Sequence, residues 1–360
     1  MTRRLIALLI VTVSILTACG QANATHPASS GYLLFLEAGF SNSGESVKVL
    51  DSGTGTVVRE LPIGTPTSDW SRYFVVTQLT GGAQLQAIDP ASGRTIAQTS
   101  IPAGYSLPNI AYQGPTAGIS PNGQWLALTQ NAPSTSARGQ TKFLVGSSSL
   151  TGSFKKVVVN GDFAFDALSN DGQSLYLIQK MTDASHYQVR LYDVAAGSLN
   201  PQPVADKREP NEPMNGIRGD SAADSTGNSV YTVYIRAAGP FIHALPLSGQ
   251  PFAFCVDLPA RSATDIEKQF HWALALSRDG QILYAANASL GTVAVMAAGD
   301  LPKIVRTGPV ALSHSDSLFA GLITSAEAKG PRIGGAALSP DGSTLYSFAD
   351  RGVVAIDTKT

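Results

Sequence analysis

The sequence predicts an all-β protein built from seven repeated units, and three observations support this prediction. From residue 31 onward, short runs rich in β-branched and aromatic residues alternate with Gly, Pro, Asn and Asp, and no stretch keeps an apolar period of 3.6 residues. A short turn tag recurs along the chain, and its copies return at a nearly constant spacing. Together these patterns indicate many short antiparallel strands joined by tight turns.

The tag places Ser first, often Pro second, Asn or Asp third and Gly fourth, directly before an apolar run. This order suits a type I turn that ends in a left-handed glycine and joins two antiparallel strands. The clear copies are Ile119–Gly123, Leu168–Gly172, Leu276–Gly280 and Leu338–Gly342, and the weaker ones are Ala223–Gly227 and Thr67–Ser71. A second turn, Asp-x-x-x-Gly, predicts a further hairpin at Asp51–Gly55, Asp89–Gly93 and Asp193–Gly197.

The spacing of the tags predicts the architecture. The tag serines fall at Ser68, Ser120, Ser169, Ser225, Ser277 and Ser339, in steps of 52, 49, 56, 52 and 62 residues. With a tagless first unit over Tyr32–Ile63 the chain has seven units. Four-stranded blades repeat every ~40–50 residues, so the sequence predicts a seven-bladed β-propeller. The alternative, a β-sandwich with Gly-rich loops, does not predict six tags at this period.

The first and last units depart from this pattern. The last unit stops at Asp357–Thr360, one residue short of the glycine that an Asp-x-x-x-Gly turn needs, and so lacks a recognisable outer strand. The first unit has neither a tag nor an evident inner strand. Three explanations stay open: the sequence is truncated at its C-terminus, residues 20–31 fill the gap, or the ring closes imperfectly.

The amino terminus carries the most specific signal. Arg3 and Arg4 precede an uncharged, mainly apolar segment of 12 residues, Leu5–Leu16, which is too short for a membrane span of ~20 residues and fits a secretory signal. The segment ends in Leu-Thr-Ala-Cys-Gly and resembles a bacterial lipobox, which implies that Cys19 is acylated and becomes the first mature residue. The alternative is an ordinary signal peptide cut near Ala18 or Ala24.

These features divide the chain into a lipoprotein signal peptide over residues 1–18, a flexible tether over 19–30 and a propeller over 31–360. The tags and their Leu-Tyr strands resemble the YVTN/WD-repeat-like propellers of secreted bacterial proteins over nearly all of the third segment. The lipobox resemblance implies a lipid-anchored extracytoplasmic protein, held on the outer face of the cytoplasmic membrane or in the periplasm or outer membrane.

Composition excludes several functional classes. The net charge is −1 and only 14% of the residues are charged, against about 25% in typical domains, which excludes a polybasic nucleic-acid binder. Five His and two Cys exclude a zinc array and a disulfide-stapled fold. Once Cys19 is acylated, Cys255 remains alone in an apolar run and is expected to be a buried thiol. Phosphate-binding, dinucleotide-binding and nucleophile-elbow motifs are absent, so no cofactor, metal or catalytic residue is predicted.

The connections between blades predict a binding face. Those over Pro102–Gly114, Asn200–Gly216, Pro259–His271 and Thr307–Gly334 are long and should gather on one side of the ring. Long loops of this kind usually carry function, although mobile padding is the alternative. The candidate binding residues on this face are Arg218, Asp220, Asp265, His271 and Trp272. Packing is the alternative role for Trp272, and a structural ion pair is the alternative for Arg218 and Asp220.

The sequence therefore favours a membrane-anchored binding or scaffold module for a protein or a small ligand. One alternative is a lactonase-like or oxidoreductase-like propeller enzyme, which a convergent cluster of titratable residues at the channel mouth would favour. The other is a sensor of a small ligand or a cell-wall sugar, stacked on Trp70, Tyr105, Tyr112 or Trp272.

Overall fold

The protein is nearly all β. The computed structural model describes residues 31–41, 44–109, 117–131, 138–181, 186–206, 208, 213–223, 229–248, 252–259, 266–299, 301–310, 335–349 and 352–359. These residues form 27 strands and one four-residue helix, α1 (Ile266–Gln269). The predicted signal peptide and tether, including Cys19, lie outside them.

The strands form seven antiparallel sheets in chain order, which confirms the predicted seven-bladed β-propeller. Blade 1 contains β1 (Leu33–Ser41), β2 (Gly44–Asp51) and β3 (Val57–Pro62). Blade 2 contains β4 (Thr65–Pro66), β5 (Tyr73–Leu79), β6 (Gly82–Ile88) and β7 (Thr95–Ile101). Blade 3 contains β8 (Tyr105–Ser106), β9 (Trp125–Gln130), β10 (Gln140–Ser147) and β11 (Lys155–Asn160). Blade 4 contains β12 (Phe163–Leu168), β13 (Ser174–Lys180), β14 (His186–Asp193) and β15 (Ser198–Val204), and β16 (Met214–Asn215) pairs with β14.

The remaining blades continue the order. Blade 5 contains β17 (Ile217–Ala223), β18 (Ser229–Ile235), β19 (Phe241–Pro246) and β20 (Phe254–Asp257). Blade 6 contains β21 (Ala273–Leu276), β22 (Ile282–Asn287), β23 (Thr292–Ala297) and β24 (Lys303–Pro309). Blade 7 contains β25 (Ala336–Leu338), β26 (Thr344–Ala349) and β27 (Gly352–Asp357). Apolar side chains from neighbouring blades pack together between the sheets, so the core is a ring of interblade layers.

Each clear tag forms the predicted turn between the first and second strands of its blade. In blade 7 the Ser339 hydroxyl donates to Asp341 Oδ1 at 2.6 Å and accepts the Thr344 N–H at 2.9 Å, while the Gly342 N–H donates to the Ser339 carbonyl at 2.8 Å. Four tag glycines, Gly123, Gly172, Gly280 and Gly342, have φ between 69° and 71°. The second turn is also confirmed, because Gly55, Gly93 and Gly197 have φ of 67°, 72° and 72° and donate to their aspartate carbonyls.

The turn of blade 2 begins one residue earlier than its weak tag predicts. Thr67, rather than Ser68, takes the serine position, because its hydroxyl donates to Asp69 Oδ1 at 2.7 Å and accepts the Arg72 N–H at 3.1 Å. Ser68 instead donates to the Pro121 carbonyl of blade 3 at 2.6 Å. Trp70 therefore occupies the glycine position with φ of 56°, a strained conformation for a bulky residue. The other weak tag lies largely outside the described residues.

The structured elements also extend into all four predicted connections. Strand β8 lies within the first, β15 continues past Asn200 to Val204, α1 lies in the third and β24 continues past Thr307 to Pro309. Strand β15 contains Pro201 and Pro203, which the outermost strand tolerates because one of its edges needs no hydrogen-bond donors.

The ring closes between blades 7 and 1 by a side-chain contact. Strand β1 corresponds to the second strand of the other blades, since the Asp51–Gly55 turn follows β2 as the Asp89–Gly93 turn follows the third strand of blade 2. Within the described residues, blade 1 thus has no first strand and blade 7 has no fourth. The hydroxyls of Tyr32 and Tyr346 are hydrogen bonded, and their rings meet edge to face at 6.0 Å.

Replacing Gly342 with Val should lower the free energy of unfolding by ~1–3 kcal/mol, because a β-branched residue is strained at a φ of 69°. A Cβ there meets no atom within 4 Å, so the loss measures backbone strain alone. Gly308→Val is the matched control, since Gly308 has equal space without a positive φ. Equal urea-denaturation midpoints for the two variants would contradict the turn assignment.

Candidate ligand-binding face

In each blade, the second strand ends and the third strand begins on the same face of the ring. The fourth strand, where it is described, also ends on this face. In blade 5, Tyr234 at the end of β18 pairs with Phe241 at the start of β19, which pairs with Asp257 at the end of β20. The connection that enters the next blade leaves from this same end, so the interblade connections share this face. We call it the connection face.

A cleft of about 480 Å³ opens on the connection face between blades 4 and 5. Its volume falls within the ~300–1,000 Å³ of ordinary small-molecule sites. Blade 4 contributes the start of β14 and the end of β15, blade 5 contributes the facing ends of β18, β19 and β20, and the connection between the blades supplies the rest. The lining residues include Tyr187, Gln188, Gln202, Asp206, Arg208, Met214, Asn215, Arg236, Phe241, Cys255 and Asp257.

Hydrogen bonds hold the connection in place along the cleft. The Ala253 N–H donates to the Ala205 carbonyl at 2.9 Å, so the end of blade 4 is tied to the outer strand of blade 5. Further along, Asn215 pairs with His186 at the start of β14, which returns the chain over blade 4. The cleft wall is thus built on paired backbone.

Two ion pairs line the cleft. Arg208 Nη2 lies 2.7 Å from Asp206 Oδ2, and Arg236 Nη2 lies 3.1 Å from Asp257 Oδ1. The Arg236 guanidinium also lies over the Phe241 ring, 4.4 Å from its centroid. The four charges cancel, so these residues give the cleft a neutral, strongly polar wall.

Asp206 is the most firmly held of these groups. Burial alone would raise its pKa, but the Arg208 guanidinium and the backbone N–H groups of Arg208 and Cys255 donate to its carboxylate and lower the pKa to about 2. The carboxylate therefore stays ionised and fixes the Arg208 side chain. Both partners of this pair are preorganised for hydrogen bonding.

Arg218 lies deep in the ring rather than at its mouth. It belongs to β17, and its side chain is 6% exposed. The guanidinium donates to the carbonyls of Phe165 and Asp166 at 3.0 Å each, and lies 3.3 Å from Asp166 Oδ1. A β-bulge at Asp166 and another beside Arg218 interrupt the two inner strands here. This buried pair joins blade 4 to blade 5.

A buried polar cluster surrounds this ion pair. Tyr187 stacks on Tyr234 with centroids 5.6 Å apart, and Tyr234 meets His243 edge to face at 6.0 Å. Burial raises the pKa of Tyr234 and lowers that of His243, so both side chains are held neutral. Three polar atoms of this cluster have no hydrogen-bond partner within the described residues: Asp166 Oδ2, Arg218 Nε and His243 Nε2.

Asp220 joins blade 5 to blade 6. Its two carboxylate oxygens accept the N–H groups of Leu274 at 2.8 Å and Ser221 at 2.9 Å. Burial nevertheless dominates and raises the pKa of Asp220 to about 7. Asp220 and Arg218 share β17, but each pairs with a different neighbouring blade and not with the other.

His271 and Trp272 precede β21 on the connection face of blade 6. Trp272 is fully buried in the layer between blades 5 and 6, and its indole N–H donates to Gln269 Oε1 at 2.9 Å. His271 Nδ1 lies 2.7 Å from Ser289 Oγ on the loop after β22. Asp265, the remaining candidate, lies outside the described residues.

The aromatic residues named for stacking do not gather at one place. Trp70 lies on the opposite, tag-bearing face, stacked on Phe35 with centroids 4.0 Å apart. Tyr105 is 5% exposed within the core between blades 2 and 3, and Tyr112 lies outside the described residues.

Within the described part of the chain, no group of three or more His, Cys, Asp or Glu side chains is placed to hold a metal ion. The helical residues described there include no segment long and apolar enough to cross a membrane. Within the described residues, the face offers hydrogen-bonding groups in the cleft and a His–Ser pair in blade 6.

No protein-family model matches the sequence, and no curated protein sequence is significantly similar to it. Solved structures share its fold. A chain of Kuenenia stuttgartiensis hydrazine synthase superposes with a TM-score of 0.50 at 15% identity, over 91% of this chain and 92% of that one. The periplasmic gluconolactonase PpgL of Pseudomonas aeruginosa gives 0.49 at 19% identity, over 91% and 96%. At 15% identity, the similarity to the hydrazine synthase chain shows a similar fold alone.

Sequence reasoning missed the cleft and most of its residues. Tyr187 and Asp257 lie on separate strands and Arg236 directly follows a third, and only the register of those strands brings the three residues together. Asp166 was missed as the partner of Arg218 because the two lie 52 residues apart in the chain. The one available signal was the connection over residues 200–216, which does border the cleft.

Replacing Asp220 with Asn should flatten the pH dependence of stability. Because the pKa is raised from 3.8 to about 7, the native state holds the proton more tightly than the unfolded chain. This contribution is fully present below pH ~4 and is lost as the pH rises through ~7. Wild type should therefore lose stability relative to the variant between pH 4 and 7, measured by urea unfolding.

Glu60→Gln, an exposed carboxylate change on blade 1, is the matched control and should run parallel to wild type. Parallel profiles for wild type and Asp220→Asn would show that Asp220 titrates normally.

Proposed function

We propose that the protein is a lipid-anchored extracytoplasmic propeller that binds a small polar molecule on its connection face. The cleft between blades 4 and 5 carries the proposal, since it combines ligand-sized volume, fixed polar groups and a rigid backbone frame. Binding accounts for a lining whose charged side chains are held in pairs with one another.

The amino-terminal sequence supports the anchor. A basic start, an apolar segment of 12 residues and Leu-Thr-Ala-Cys-Gly fit lipoprotein processing at Cys19. The polar residues that follow provide a tether long enough to hold the ring clear of the bilayer. A tethered ring can turn its connection face toward solutes outside the cytoplasm.

Replacing Cys19 with Ala should abolish incorporation of labelled fatty acid and release the protein from the membrane fraction, because no thiol remains to acylate. Cys255→Ala is the matched control and should keep both label and membrane retention. Unchanged labelling of Cys19→Ala would contradict the lipoprotein assignment.

Filling the cleft should abolish small-molecule binding. Gln202→Trp places a large ring on an exposed cleft position of β15, and Gln98→Trp makes the same change on the outer strand of blade 2. We expect at least one member of a panel of sugars, sugar acids, sugar phosphates, amino acids and nucleosides to bind wild type, as measured by saturation-transfer NMR. That signal should vanish in Gln202→Trp and persist in Gln98→Trp. Persistence in both variants would refute the cleft.

A second candidate function, that of a hydrolytic enzyme, rests on one observation. His271 Nδ1 lies within hydrogen-bond distance of Ser289 Oγ, the arrangement by which a histidine activates a serine nucleophile. If the pair is catalytic, a fluorophosphonate probe should label wild type and not Ser289→Ala. Ser100→Ala, at an exposed position of the outer strand β7, is the matched serine control and should keep the label. Absence of labelling in wild type would show that the pair is a structural contact between two loops.

A further inference from the structure

We propose that the cleft between blades 4 and 5 recognises an uncharged polyhydroxylated ligand, a neutral sugar, rather than an anionic or cationic one. The inference rests on the proposed binding function and names the ligand class of that same site. The charges, the remaining polar groups and the apolar contacts of the lining each bear on it.

The charges of the cleft are already neutralised within the protein. Both guanidinium groups that line it have a carboxylate partner, Arg208 with Asp206 at 2.7 Å and Arg236 with Asp257 at 3.1 Å. In a site that binds an anion, cationic side chains are available to pair with the ligand, and in a site that binds a cation, carboxylates are available. A charged ligand here would lose hydration without gaining a counter-charge, which is unfavourable.

The hydrogen-bonding groups of the cleft are mixed. Guanidinium groups only donate, carboxylates only accept, and the amides of Gln188, Gln202 and Asn215 do both. Hydroxyl groups also donate and accept. A ring that bears several hydroxyls can therefore form hydrogen bonds with both the donors and the acceptors that line the cleft. Two polar atoms of the lining, Asn215 Oδ1 and Arg236 Nε, have no hydrogen-bond partner within the described residues.

The preorganised ion pairs favour adjacent hydroxyls. Asp206 holds Arg208 through both of its carboxylate oxygens, so the guanidinium plane is fixed before any ligand arrives. Stacking on Phe241 fixes Arg236 in the same way. Planar groups held in this manner can contact two neighbouring hydroxyls at little entropic cost.

The cleft also offers apolar contacts for the C–H faces of a sugar ring. Pro203, Pro213 and Met214 line it and are partly exposed. Such contacts, combined with a polar wall, match the alternating apolar faces and polar edges of a pyranose.

The test compares three rings that differ mainly in charge: glucose, glucosamine and glucuronate, titrated into the full chain and followed by NMR. Glucose should bind at least several-fold tighter than either charged analogue, and Gln202→Trp should abolish its binding while Gln98→Trp keeps it. Tighter binding of glucosamine or glucuronate would overturn the inference, although loss of that binding in Gln202→Trp would leave the proposed function intact. Binding of none of the three would also overturn it, and the wider panel then decides the proposed function separately.

Charge variants sharpen the result. Asp257→Asn leaves Arg236 without its carboxylate, and Asp257 is exposed enough for the fold to tolerate the change. The variant should move the preference toward glucuronate by about two- to fivefold, the usual range for an exposed ion pair. Glu60→Gln makes the same net charge change on blade 1 and should not alter the preference. An equal shift in both variants would show that overall charge, not the cleft, governs selectivity.

Discussion

The turn between the first and second strands, described in blades 2, 3, 4, 6 and 7, is the constraint on which the ring depends. In blades 3, 4, 6 and 7 a serine hydroxyl holds the turn from within, and a left-handed glycine reverses the chain in four residues. Because these turns lie on one face, the longer connections collect on the other. The location of the cleft thus follows from turn chemistry far away from it.

The same constraint shows how far the sequence predicts this fold. Turns are local, so Ser339–Gly342 or Asp89–Gly93 can be recognised without any knowledge of neighbours, and counting them predicts seven blades. The tag pattern mispredicts the turn of blade 2, because other residues fill its key positions. There the Thr67 hydroxyl takes the place of serine, and Trp70 takes the place of glycine in a strained backbone conformation. Outer strands were also underestimated, because Pro201 and Pro203 indicate a loop unless one knows that β15 is an edge.

The sequence predicts which face of the ring carries the candidate site, but not the cleft or the contacts of its residues. Arg218 and Asp220 lie two residues apart on one inner strand, which favours an ion pair between them or a role at the channel mouth. In the structure, the strand is irregular between Arg218 and Ser221, and the two side chains contact opposite neighbours, Asp166 in blade 4 and Leu274 in blade 6. Which way a bulge turns a side chain depends on the partner strand, which no local pattern contains. The pairing of Arg236 with Asp257 in the cleft was hidden because the two residues are 21 positions apart and meet only through the register of β18, β19 and β20.

The contact between Tyr32 and Tyr346 has a consequence for folding. The two residues are 314 positions apart, whereas nearly all strand pairing in the described residues joins neighbours in the chain. Bringing such distant residues together carries a large loop-closure entropy, while each blade can form from contacts within about fifty residues. Blades can therefore assemble one after another along the chain, as in other repeat proteins, and the ring shuts last. A chain that becomes available in sequence order can build most of this molecule before its final blade arrives.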